Sequence, residues 1–118
     1  DMKRQLGQYI DGIGRMRAAG VRLVCGSDSS WGNYPMGLFH KEVEAQVYAG
    51  MSPMEAIVSA TSDSARSCWI DESVGTLEPG KQGDLLVVDG DPSKDVDALW
   101  DVVDVFQNGA LVDRGNYV

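Results

Sequence analysis

Asp28 is the residue whose type and place best suit it for chemistry. It follows the apolar run Val21 to Cys25 and lies in Gly26-Ser27-Asp28-Ser29-Ser30, a stretch of turn formers. If the run is a buried strand, the carboxylate stands just past its C-terminal end, where open-sheet and barrel α/β folds bind their ligands. There it can ligate a hard or borderline metal ion and accept a proton from water. A loop aspartate more commonly closes a turn or caps a helix, and position alone leaves both readings open. Trp31 and Tyr34 share the loop. They are candidates for contact with a substrate near Asp28, or else packing residues.

Other chemistry-bearing residues form weaker patterns. His40 is the single histidine, and a zinc site recruits several His or Cys ligands, so a helix-packing or surface role is expected for it. Asp89, Asp91, Asp95 and Asp97 invite a calcium reading. An EF-hand loop starting at Asp89 would need Gly and Glu where Lys94 and Trp100 stand. Turn and capping roles explain that run better. Cys25 and Cys68 belong to no CxxC pair and are expected to be buried thiols. No P-loop, dinucleotide fingerprint or GxSxG elbow is present.

These residues need elements to hold them. Met2, Leu6, Ile10, Ile13 and Met16 recur at helical spacing, and Gly20 can end that helix in the left-handed conformation. Val21 to Cys25 reads as a buried strand. A second helix is expected over Leu38 to Ala49, stopping at Gly50. The next has a marked start, with Ser52 at the N-cap, Pro53 at the first helical position and Glu55 completing a capping box. Met54, Ile57, Val58 and Thr61 would form its buried face. Beyond about residue 70 the texture changes to strands and turns: Asp84 to Asp89, then Val102 to Gln107, with Asn108-Gly109 turning the chain into Ala110-Leu111-Val112.

Bulk properties narrow the class. A chain of 118 residues with 43% hydrophobic and 24% charged residues is an ordinary globular sequence, one domain by length. A net charge of −8, with Lys and Arg scattered, argues against nucleic acid as a partner. No run approaches the roughly 18 apolar residues of a membrane span. The chain opens at Asp1 directly into an amphipathic pattern, which suggests more sequence upstream. Localisation stays unassigned, with the cytoplasm as the default.

Two segments together carry a family resemblance. The first, GVRLVCGSDSSWGNYPMGLFHKEVEAQVYAGMSPMEAIVSAT at residues 20–61, resembles the last barrel strand of the amidohydrolase superfamily and the helices after it. The second, VGTLEPGKQGDLLVVDGDP at residues 74–92, is similar to that superfamily's "GxLxPGKxADLxVxDGDP" signature, and DVVDVFQNGALVDRG resembles its closing hairpin. The likeness points to the prolidase-like and imidazolonepropionase-like branch. Ser27, Gly83 and Asp63 stand where Thr, Ala and Asn are usual.

The resemblance implies an α/β fold: the C-terminal part of a (β/α)8 TIM barrel in residues 1–70 and strands of a small β-sandwich in residues 71–118. It makes Asp28 the metal-ligating aspartate of the last strand and the proton shuttle of catalysis. It implies one or two divalent ions, with zinc expected, bound mainly by residues this chain lacks. The family's His-x-His pair, its Lys or Glu, and its two later histidines have no counterpart here. The expected activity is hydrolysis of an amide-type C–N bond in a small molecule (a dipeptide, an acylated amino acid or a cyclic amide) by a metal-activated water. That activity would need the missing N-terminal part of the same protein, and the chain alone would be inactive. Homo-oligomerisation stays open. The alternative is a free-standing, non-catalytic α/β domain for binding or assembly, and a third option is a relative that has lost its metal.

Overall fold

The computed structural model describes residues 2–29 and 36–115. Helix α1 spans Met2–Ala18, α2 His40–Tyr48 and α3 Pro53–Val58. A π-helical turn, Ser59–Asp63, leads into the short α4, Ser64–Ser67. Strand β1 (Leu85–Val88), a 3₁₀ turn (Val96–Trp100), β2 (Val102–Gln107) and β3 (Ala110–Leu111) follow. Among the described residues no helix is long and apolar enough to cross a membrane.

The helix ends follow from local chemistry. After α1 the amide of Gly20 reaches the Arg17 carbonyl at 2.9 Å and that of Val21 reaches Met16 at 3.0 Å. This is the Schellman pattern, and it needs the positive φ of 78° that glycine adopts freely. Gly50 ends α2 the same way, with Met51 bonded back to Gln46 at 3.1 Å. Helix α3 begins with the capping box: Ser52 Oγ accepts from the Glu55 amide at 3.3 Å, and Glu55 Oε2 accepts from the Ser52 amide at 2.7 Å. Trp69 closes α4 with φ 60°, its side chain exposed to 92%.

The core is small: Val43, Met51, Ala56 and Val96 are buried, with Leu23, Cys25, Val47, Ile57, Ala60 and Leu99 packed around them. It joins the helices to the 3₁₀ turn. The expected buried face after Ser52 is displaced. Met54 and Val58 are 50% and 38% exposed, while Ala56, Ser59 and Ala65 are inside. The π turn adds a residue and rotates what lies beyond it, Ala65 included, relative to an unbroken α-helix.

Strands β1, β2 and β3 form one antiparallel sheet in that order. Leu85 faces Phe106, Leu86 faces Val105, and a bulge interrupts the register at Val87/Val88. Asn108 and Gly109 both take positive φ, 52° and 76°, as a type I′ hairpin requires.

One expectation needs correction. Val21–Cys25 is extended but not a strand. A strand exists through its hydrogen-bonded neighbours, and none of the described residues runs alongside it. It keeps a partial alternation, with Leu23 and Cys25 against the core and Val24 43% exposed. Beyond residue 70 the described residues form the one three-stranded sheet; a sandwich would add a second sheet packed face to face with it.

Candidate active site around Asp28

The segment leading to Asp28 is held from the side. Cys25 is the one member of residues 22–29 whose backbone is hydrogen-bonded within the described residues, and its partner is the Ser64 hydroxyl, 3.3 Å from the Cys25 nitrogen. Beyond this tie the chain turns sharply. Asp28 adopts φ 48°, a left-handed conformation that aspartate tolerates better than most residues. Its carboxylate is exposed and makes no hydrogen bond or ion pair among the described residues. The flanking Ser27 and Ser29 hydroxyls bond to each other across it.

Such a carboxylate suits ligation or proton transfer, because no cation or donor among the described residues competes for it. It can supply one ligand of a metal site. Among the described residues no group of three or more His, Cys, Asp or Glu could hold an ion, so a complete site needs donors from elsewhere. Trp31 and Tyr34, the candidate substrate contacts, lie outside the described residues.

His40 takes the packing role. It opens α2, and its ring meets the Trp100 indole edge-on with centroids 3.8 Å apart. Trp100 Nε1 donates to Glu44, and the Lys41 ammonium lies 5.6 Å from the indole centroid. This cluster fixes the 3₁₀ turn to α2, well removed in sequence from Asp28. The aspartate run behaves as capping residues: Asp95 accepts from the Asp97 amide at 3.1 Å at the start of the 3₁₀ turn, and Asp91 accepts from the Ser93 amide at 3.1 Å. A hydrogen bond from Lys94, then those from Ser93, hold the Asp91 carboxyl below its ordinary range. Cys25 is half-buried, and burial first, then the charge of Glu42, raise its thiol to about 11. Cys68, expected inside, is exposed.

Sequence reading missed Ser64 and Glu44. Neither contact carries a local signal, because each joins residues far apart in the chain.

With this geometry in view, the comparisons with known proteins are informative. Residues 4–112 match the amidohydrolase family. The imidazolonepropionase of Thermoplasma volcanium is 34% identical over 97 residues, covering 80% of this chain and 24% of that enzyme. A 5-methylthioadenosine/S-adenosylhomocysteine deaminase of Moorella thermoacetica is 29% identical over 93 residues, covering 72% and 22%. Among solved structures, a Xaa-Pro dipeptidase with methionine bound in its active site superposes with a TM-score of 0.81 at 33% identity, covering 91% of this chain and 26% of that one. The chain thus spans about a quarter of the length of the proteins it matches.

Proposed function

The chain belongs to the amidohydrolase family, and from that premise we propose that its parent protein hydrolyses an amide-type C–N bond in a small molecule with the help of one or two divalent metal ions. The names of its relatives, an imidazolonepropionase, a deaminase and a dipeptidase, support C–N hydrolysis as the reaction class. Cyclic amides and dipeptides are the substrate classes those names favour.

One observation carries the reading: an exposed carboxylate without partners among the described residues, Asp28, at the end of the extended segment that resembles the family's last barrel strand. In the proposed site Asp28 is one metal ligand and the proton shuttle. The metal, expected to be zinc, would supply Lewis acidity and lower the pKa of water. Asp28 would take a proton from the attacking water and return one to the leaving nitrogen, acting as base and then acid. The other ligands would come from the rest of the protein.

The same reading assigns residues 1–70 to a (β/α)8 barrel and 71–118 to a β-sandwich. Within the described residues β1 pairs on one edge only, and Leu77 and Leu86 stand 76% and 48% exposed. Further strands of the same protein would cover them. Metal analysis of the full-length protein, with activity measured before and after chelation, tests the function. Loss of activity on chelation and its return with zinc are expected. A metal-free protein that keeps its activity in chelator would refute it.

A further inference from the structure

We propose that Ser64 is a positioning residue for Asp28, an inference that rests on the catalytic reading of Asp28 above. The Cys25 amide donates to Ser64 Oγ at 3.3 Å, and that hydroxyl in turn donates to the Ser59 carbonyl at 2.7 Å. The same oxygen lies 3.4 Å from the Cys25 carbonyl. Ser59 is five residues before Ser64 and is the first residue of the π turn. A hydroxyl in an ordinary α-helix bonds the carbonyl three or four residues back. Here the extra residue brings the side chain onto Ser59 and leaves its lone pair for the incoming amide. Linked hydrogen bonds of this kind polarise one another.

What Ser64 holds is the approach to the site. Cys25 lies three residues before Asp28, and between them the described residues offer no other backbone hydrogen bond. The carboxylate itself is exposed and anchored by nothing else described. Among the described residues the tie at Cys25 is the last backbone anchor before Asp28. Displacements on the order of 1 Å at a reacting group can cost about a hundredfold in rate. The π turn has the character of such a device, since single π turns inside helices recur at functional sites.

The test uses the full-length enzyme and the pair Ser64→Thr and Ser64→Val, which share a shape and differ in the hydroxyl. The Thr variant is expected to keep kcat within about threefold of wild type. The Val variant should lose about tenfold in kcat, with KM little changed. Equal kcat for the two variants would overturn the proposal. So would a Val variant that raises KM and leaves kcat unchanged. Asp28→Asn, run in parallel, separates the two ideas: near-wild-type turnover there removes the Asp28 reading itself, whatever the Ser64 pair shows. If Val fails to fold while Thr folds, the Ser64→Ala variant replaces it under the same criteria.

Discussion

Arg17 of α1 lies 2.9 Å from Glu55 at the start of α3, and its other guanidinium nitrogen donates to the Gly50 carbonyl at 2.7 Å. One planar side chain thus secures the glycine that ends α2 and the glutamate that opens α3. A lysine has a single ammonium and cannot span both. Arg17→Lys and Arg17→Ala should both lower the Tm of the full-length protein, Ala by more. The bond to Gly50 accounts for about 1 kcal/mol. An unchanged Tm for both variants would show the clamp to be incidental.

Ser52→Ala removes the N-cap of α3 and should destabilise by about 1 kcal/mol. The effect has a pH signature. Hydrogen bonds from the Ser52 amide and side chain, followed by Arg17, hold the Glu55 carboxyl below its ordinary value. A depressed folded-state pKa contributes stability that is present above the unfolded value and lost as pH falls through the folded one. The difference between wild type and Ser52→Ala should therefore narrow on acidification through the carboxylate range, as followed by denaturant unfolding. A constant difference would contradict this.

Asp28→Asn should reduce kcat by at least about a hundredfold, the scale of general acid–base catalysis. The mutation keeps shape and removes charge. Steady-state kinetics of the full-length protein checks this, and turnover near that of the wild type would remove Asp28 from the mechanism.

The thiols should differ in reactivity. With its thiol raised to about 11 by burial, Cys25 holds little thiolate at pH 8, whereas Cys68 is open to solvent. A thiol-specific maleimide should label Cys68 first, as read by peptide mass spectrometry. Because the folded state keeps the Cys25 proton to higher pH than the unfolded chain, its contribution to stability falls as pH rises from about 9 to about 11. Cys25→Ala should remove that part of the alkaline loss.

Trp69 occupies a left-handed position with its side chain 92% exposed. Glycine meets that backbone without the Cβ strain of about 1–2 kcal/mol, but gains freedom in the unfolded chain. Trp69→Gly should stabilise by about 0.5–1 kcal/mol in chemical denaturation. A clear loss would mean that the indole makes a contact in the full-length protein.

Features written in neighbouring residues were legible from the chain. The capping box at Ser52, the helix stops at Gly20 and Gly50, and the Asn108-Gly109 hairpin depend on backbone torsions and side-chain reach over a few positions. Features that depend on distant partners were not. Val21–Cys25 has strand composition, but no ladder partner for it is found among the described residues. The π turn at Ser59–Asp63 has no compositional mark, and which face of α3 is buried is set by packing against distant residues, so Val58 was expected inside and Ser59 was not. At the site, the loop chemistry drew attention to Asp28. Ser64, 39 positions from the cysteine it holds, gave no sign.

The π turn also bears on how this stretch can change in length. One supernumerary residue between Pro53 and Ser64 advances all that follows by roughly 100° about the helix axis. Deleting a residue there would relax the turn to regular α geometry and swing the Ser64 hydroxyl away from Cys25, without altering a single side chain at either place. In this segment the residue count is itself a heritable trait, and insertions or deletions should be purged here while the exposed positions of the same helix vary freely.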